Sequence, residues 1–580
     1  ADRLGQKLAD KLVADFRAKH GAWPDRLAFE VWGVETIRHA GVQEAQALAL
    51  LGVAIRRDAQ GRFLKLERIP REQLGRPRID VVFHTTGLYR DTFPMLIELL
   101  DQAVRLAAES PEPDNAIARH AAALTKQLVA QGLKPDVAKQ RALVRIFAEP
   151  PGMHDSKVAA LADASGSWDR EGEVADVYIR RMGFGYGSGL WGAEMEAEFR
   201  AALAGTQAIV HSRSSRLYGT LDNDDFFAFG GSIALGVRRV QGGKSPPLLV
   251  AELSTPGAEK HVGIEELVGT ELRSRVLNPE YAAAMRDEGY AGLREVWKSV
   301  EYLWGWQVVY PEAVAEADWQ EVYDVWVADR ERLGLAKAFE KASPFARQGI
   351  AARLLETARK GYWRPPQQTL AGLSKALIDG IVNNGIGCDS LTCNNPELRK
   401  YAEDQARRTG AVSAATLQAW SERLEKATGK TLSAALAERV RGACLEKLGS
   451  FCGPDKVRAD LPVPPQPSEP PLSHLPPPPE DPKDFAQWAR NLAELSEQRG
   501  EVRGHQKGKT EGLREGEARG LQAGELLGEA KALLLVLRSR GLHVPAELEQ
   551  RILACGDPAV LAAWLQRAVV ITHAEELLAG

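Results

Sequence analysis

The feature that most narrows the fold is an alternation of short apolar runs with longer amphipathic stretches. LAFEVWG (27–33) and RIDVVFHTTG (78–87) have the length and near-continuous apolar character of buried strands, and the second ends in a polar turn. Glu35–Leu51 and TFPMLIELLDQAVRLAAES (92–110) follow them with apolar residues at helical spacing. GVAIRRD and FLKLERIP read as further strands. Strands alternating with helices predict an α/β fold, with Rossmann-like parallel-sheet units and large helical insertions. Ligands of such sheets gather at the carboxyl ends of the strands. That puts His84, Thr85, Thr86, Tyr89, Arg90 and Asp91 on a ligand-facing edge, although Asp91 also suits a helix cap paired with Arg90.

Beyond this opening the pattern changes. Residues 114–150 read as wholly helical, and 147–192 as loop-rich with one helix around 171–182. The glycines Gly183, Gly185, Gly187 and Gly189 lack the preceding strand and the spacing of a dinucleotide fingerprint, so they predict a flexible aromatic–glycine loop. GGKS (242–245) imitates the end of a P-loop, but Arg238 stands where the first glycine belongs and Pro246–Pro247 where a helix should begin. No nucleotide site is expected. Helices dominate after 310, over 318–341 and 344–363, and Cys388 and Cys393 sit in a polar turn whose spacing is wrong for structural zinc. A proline-rich linker at 461–483 leads to eight glycines at every fourth residue, Gly500 to Gly528, and then a short helical unit. The expected divisions are 1–150, 151–310, 311–455, 456–483 and 484–580.

Charge and cysteine usage remove several function classes. Lys plus Arg (74) nearly balance Asp plus Glu (78), which gives no general pull toward nucleic acid or an anionic membrane. No apolar run is long enough to span a bilayer, and five cysteines in a chain of 580 residues suit a reducing compartment. The first residues, ADRLGQKLADKLVADF, form an amphipathic helix pattern and not a secretory signal, so the expected location is the cytoplasm.

The densest chemistry lies in 207–310: His211, Arg213, Arg216, Tyr218, then Asp222, Asp224 and Asp225, with aromatic residues close behind. This stretch also carries a family resemblance. LDNDDFFAFGGSIALGVR, ELRSRVLNPEY, GYAGLREV and VEYLWGWQ resemble the large subunit of cobaltochelatase (CobN), which is related to the porphyrin-binding large subunit of magnesium chelatase. The match extends back to WGVETIRHAGVQEAQALALLGV (32–53) and on through GLYRDTFP, RIFAEPPG, VYIRRMGFGYG and RKGYW to CDSLTCNNP. It is similar to the C-terminal half of that subunit. The tail after 484 resembles the C-terminal region of Rpn/YhgA-type transposase-derived proteins without their nuclease core, and is read as an oligomerisation or partner module.

The resemblance implies a ligase-type activity that inserts Co2+ into hydrogenobyrinic acid a,c-diamide for cobalamin. The alternative metal and macrocycle are Mg2+ and protoporphyrin IX. It implies that separate AAA+ subunits hydrolyse ATP with their own Mg2+, and that a separate N-terminal half-subunit completes the site. A non-catalytic tetrapyrrole-binding scaffold is the other reading. Metal insertion removes two pyrrole protons, which carboxylates or a neutral imidazole accept. In that chemistry His211, Asp222, Asp225 and Glu301 are the catalytic candidates, and His211 with Asp224 the candidates for passing on the metal. Arg213 and Arg216 would hold the macrocycle's carboxylates. Tyr89, Arg90, Tyr218, Trp304 and Trp306 complete the expected substrate-binding set.

Overall fold

The computed structural model describes residues 1–60, 63–187, 189–387, 391–441 and 544–553, with single positions at 537, 560, 564 and 567. They belong to two compact units, 1–460 and 461–580. In the second, the described helix is Ala546–Leu553. The proline-rich linker, the glycine repeat, Cys388, Cys444 and Cys452 lie outside the described residues.

Ten strands are present among the described residues: β1 Arg26–Val31, β2 Val53–Arg57, β3 Phe63–Arg68, β4 Asp80–Thr85, β5 Ile146–Ala148, β6 Phe184–Gly187, β7 Leu190–Glu194, β8 Ala208–Arg213, β9 Leu248–Glu252 and β10 Lys260–Gly263. Eight form one sheet in the order β10-β9-β8-β1-β4-β5-β6-β7, and β2 and β3 form a separate antiparallel ribbon. The five central strands, β9-β8-β1-β4-β5, are mutually parallel. Their order is that of a doubly wound sheet, with the direction of winding reversing between β1 and β8. β10 and the β6–β7 hairpin extend the edges antiparallel.

Both faces of the sheet are covered, which is why β1, β4 and β8 read as continuous apolar runs. Leu27, Phe29 and Val31 point into one core with Leu12, Leu50, Ile97 and Val104, from the helices Asp2–His20, Val42–Leu51 and Pro94–Ala108. Ala28, Val82, Phe147 and Ile209 point the other way, toward Tyr178, Ile233 and Val300. This second core continues past 310 to Trp326, Leu354 and Leu373. One sheet crosses residue 150 and one core crosses residue 310, so neither expected boundary divides the molecule.

Three sequence expectations fail for local reasons. β5 has only three residues, too few to register between the helices Ala116–Ala130 and Pro135–Ala142 and the loop that follows. The glycine-rich segment is the β6–β7 hairpin; Gly187 has φ 116°, and a Cβ on Gly185 would overlap the Met195 side chain. The expected helix 318–341 is two helices, Glu316–Trp326 and Leu335–Ala342. Asp329 interrupts it by accepting the backbone N–H groups of Leu333 (2.7 Å) and Gly334 (2.8 Å).

The helix Tyr290–Val309 supports the loop that follows β8. Trp304 and Trp306 are fully buried, their indole N–H groups donating to the carbonyls of Ala162 (2.8 Å) and Thr220 (3.0 Å). Between them Gly305 lets Phe227 approach, and a Cβ there would lie 2.5 Å from the Phe227 ring.

At the opposite, amino end of the strands, Asp80 is wholly buried and holds Arg26 (2.9 Å), Arg145 (2.7 Å) and His120 (2.8 Å). The two guanidinium groups keep its carboxyl far below the ordinary carboxylate range despite burial, which opposes them. Asp80→Asn leaves two buried arginines without their counter-charge, and we expect a loss of about 3–5 kcal/mol in urea unfolding. Because the folded-state carboxyl is depressed, its contribution is present above the ordinary aspartate range and disappears as pH falls below it. Gly305→Ala is expected to lower stability by about 1–3 kcal/mol through overpacking against Phe227, despite alanine's better helix propensity. An unchanged urea midpoint in that variant would show that the Phe227 ring moves freely.

Candidate functional site

A doubly wound sheet opens a crevice where its winding reverses, at the carboxyl ends of the strands. Here that crevice lies beyond β1 and β8, and the side chains projecting there are unusual for a core. Register pairs Glu30 with His84 on β4, and β8 brings His211 alongside Glu30 on the same face. All three are buried. The His211 Nδ1 lies 3.4 Å from the Glu30 carboxylate, yet neither of its ring nitrogens has a hydrogen-bond partner among the described residues, and His84 Nδ1 has none. Glu30 accepts from the Trp32 indole N–H at 2.5 Å. Burial pushes Glu30 well above the ordinary carboxylate range and lowers His211 and His84 to about 3, so both imidazoles are uncharged at neutral pH.

Aromatic rings close over this pair. The His211 ring is 4.6 Å from Trp32 and 5.8 Å from Phe226. Phe226–Gly231 forms a π-helical turn, a rare form found mostly at functional sites. Its glycines explain the local geometry, because a Cβ on Gly230 would overlap the Glu30 carboxylate.

In front of Trp32 lies an open recess of about 140 Å³, lined by Trp32, Val34, Thr86, Leu88, His154 and Asp225 among others. Packing around its carboxylate, and then the neighbouring Asp224, raise the pKa of Asp225 although the residue reaches the surface. Val34, Ile37 and Leu88 are exposed apolar residues on the same edge, and so are Leu217 (71% exposed) and Tyr218 (54%) in the loop after β8. A larger cavity of about 420 Å³ lies at the amino end of the strands, beside Arg26, His120 and Arg145. Its buried charges are already committed to Asp80, so the carboxyl edge is the stronger site.

The loop from Arg213 to Asp225 is held from below. Arg213 is paired with Glu252 (2.5 Å) and Glu271 (3.0 Å). Glu271 also accepts from the Thr220 hydroxyl (2.9 Å) and the Leu221 N–H (3.1 Å). Asp222 binds Arg275 through both oxygens and accepts the Gly219 N–H.

These contacts sort the residues expected from sequence. Arg216 and Tyr218 are exposed in the loop after β8, with Arg216 bonded to the Ser254 hydroxyl at 3.1 Å, while His211 is buried near the end of β8 and Asp225 lines the recess. Others have structural employment that corrects the expectation. Asp222 and Arg213 are tied up in the ion pairs that shape the loop. Glu301 pairs with the wholly buried Arg353 at 2.8 Å, and Trp304 and Trp306 are core rather than a surface wall. Tyr89 is buried against Glu44, and Arg90 is buried with its guanidinium on Asp91 and the carbonyls of Glu149, Pro150 and Met153. Asp224 is exposed, and among the described residues no three His, Cys, Asp or Glu side chains converge as a metal cage. The His211–Asp224 pair is therefore not a built metal site.

Sequence reasoning passed over Glu30, Glu149 and His154. Glu30 had a signal, a lone carboxylate inside the apolar run LAFEVWG. Glu149 is fully buried with neither carboxylate oxygen hydrogen-bonded among the described residues, and burial raises it to about 7. It follows a strand too short to see. His154 sits in a loop, MHDS, with no pattern to mark it.

Among the described residues no helix is long and apolar enough to cross a membrane. Comparison with known proteins matches residues 1–370 to the family model described as CobN/Magnesium Chelatase. The chain is 31% identical over 382 residues to the aerobic cobaltochelatase subunit CobN of a Sinorhizobium species, covering 65% of this chain and 30% of that protein. It is 28% identical over 380 residues to the magnesium-chelatase H subunit of Chlorobaculum parvum, covering 65% and 29%. Among solved structures it is similar to the catalytic subunit of cobaltochelatase from Mycobacterium tuberculosis, with TM-score 0.60 and 34% identity over 65% of this chain and 31% of that one. The chain thus spans less than a third of the length of these relatives. The matched residues include the whole eight-stranded sheet and the edge just described, and the chain belongs to the CobN/magnesium chelatase family.

Proposed function

We propose that this chain supplies the tetrapyrrole-holding edge of a cobaltochelatase-type subunit, which inserts Co2+ into a corrinoid precursor such as hydrogenobyrinic acid a,c-diamide. The observation that carries this reading is the recess at the strand-order reversal. It has a floor of Trp32, a raised carboxyl at Asp225 and an exposed apolar rim. The recess is too small to enclose a macrocycle, so the ring lies flat across the rim with its central nitrogens above the recess. Asp225 faces the ring as a proton acceptor, and the buried Glu30 and His211 behind Trp32 form a dry wall beneath it. Arg216 and Tyr218 hold the ring's carboxylate and its apolar face.

ATP hydrolysis belongs, in this reading, to separate AAA+ subunits, and the rest of the large subunit completes the enclosure. The metal is substrate, handed to the macrocycle and not held in a resident cage. A second reading, Mg2+ insertion into protoporphyrin IX, is supported by the similar identity to the magnesium-chelatase relative.

Absorbance and fluorescence titration with hydrogenobyrinic acid a,c-diamide and with protoporphyrin IX separates these readings. We expect saturable binding of the corrinoid precursor, weakened about tenfold by Arg216→Ala or Tyr218→Ala, the worth of one good contact. Stronger binding of protoporphyrin IX would favour the magnesium reading, and binding of neither would overturn both. A second prediction concerns Glu30. Its folded-state carboxyl is raised, so its contribution to stability is fully present below the ordinary glutamate range and is lost as pH rises through the folded-state value. Glu30→Gln should remove this part of the pH dependence of the urea midpoint, and an unaltered profile would show that Glu30 is ionised.

A further inference from the structure

The recess has one titratable side chain that the reading above leaves without a task. His154 reaches it from the loop after β5, 55% exposed, with its Nε2 2.8 Å from an oxygen of Asp91. An ionised carboxylate only accepts hydrogen bonds, so Nε2 carries the proton and Nδ1 is left as the acceptor of the neutral imidazole. Asp91 is itself fixed, bonded through both oxygens to the guanidinium of the buried Arg90 at 2.6 and 2.8 Å. Arg90 in turn donates to the Met153 carbonyl, next to His154, at 3.1 Å. Gly87 leaves room for the ring, since a Cβ there would meet both the Met153 carbonyl and the imidazole. An imidazole oriented by a carboxylate, which is oriented by a buried arginine, is the arrangement a general base requires.

We propose that His154, oriented by Asp91, accepts a proton from a pyrrole N–H of a macrocycle seated over the recess. The inference rests on the tetrapyrrole reading and adds an accessible acceptor beside Asp225 for the N–H protons that metal insertion releases, one from a corrin and two from a porphyrin. In the step, the pyrrole N–H bond breaks and an Nδ1–H bond forms, leaving the electron pair on the pyrrole nitrogen for the incoming divalent metal. The imidazolium is stabilised by Asp91 and gives its proton to bulk water through the exposed face of the ring. The charges around His154 are Asp91 and Arg90 from the helix Gly87–Thr92, and Asp155 with Lys157 from its own loop. Arg181 of the helix Glu171–Met182 donates to the Asp155 carbonyl, and Asp225 also lines the recess.

The test compares free-base protoporphyrin IX with its palladium complex, which has no N–H to donate and takes no axial ligand, in binding titrations on the full chain. The palladium complex controls for the macrocycle's carboxylates and apolar face. Wild type should bind the free base about tenfold more tightly relative to the palladium complex, the worth of the bond from the pyrrole N–H to Nδ1. In His154→Gln this difference should vanish while palladium-complex binding stays unchanged. In Asp91→Asn the difference should shrink, because the ring loses the carboxylate that fixes its Nε2–H tautomer. A free-base difference that persists in His154→Gln, or is absent in wild type that binds both macrocycles, overturns the inference and leaves the tetrapyrrole reading standing. Failure of wild type to bind either macrocycle overturns that reading, and the inference with it.

Discussion

The structure depends on one topological constraint, the reversal of winding between β1 and β8. Because β4 and β5 lie on one side of β1 and β8 and β9 on the other, the connections leave the carboxyl ends of β1 and β8 uncovered by their own crossovers. Everything of chemical interest follows from that opening. Glu30 and His211 are neighbours because they sit side by side on adjacent parallel strands. Glu30 keeps the Trp32 indole N–H as its partner, burial holds His211 as the neutral imidazole, and the π-helical turn with its close glycine seals them. The cost of the unsatisfied His211 nitrogens is the kind a fold retains at a working site.

The two ends of the sheet solve the burial of charge in opposite ways. At the amino end Asp80 is surrounded by Arg26, Arg145 and His120, and every charge has its counterpart. At the carboxyl end Glu30, His84, His211 and Glu149 are buried, and the last three carry orphaned polar atoms. A paired cluster fixes the register of β1, β4 and β5; the other leaves polar atoms buried without hydrogen-bond partners among the described residues. The larger of the two cavities lies by the paired end and the smaller recess by the other. The loop from Arg213 to Asp225 joins the two requirements. Its base is pinned by Glu271 and Asp222, while Arg216, Leu217 and Tyr218 are left on the surface.

Much of this was legible in the sequence, and the rest was hidden for definable reasons. Strands buried on both faces announce themselves as apolar runs, so β1, β4 and the α/β class were readable. β5, β6 and β7 were not, being three to five residues long and partly glycine. The stretch after 207 reads as chemistry-rich, and in the fold it runs from β8 to the recess that Asp225 lines. Individual roles were not readable, since a sequence does not reveal which acid finds an arginine. Asp222 and Glu301 found Arg275 and Arg353, and Trp304 and Trp306 were core, as aromatic residues inside a helix most often are. His154 could not be found at all without the fold, because its orienting partner Asp91 is 63 residues away.

The central claim is that the macrocycle lies across the carboxyl edge of the sheet. Hydrogen–deuterium exchange on the chain with and without a saturating free-base macrocycle tests it most directly. The account predicts slowed exchange confined to the segments 31–38, 86–91, 152–156 and 214–226, with no change beside Arg26, His120 and Arg200. Protection at that opposite cavity instead, with the carboxyl edge unaltered, would contradict it.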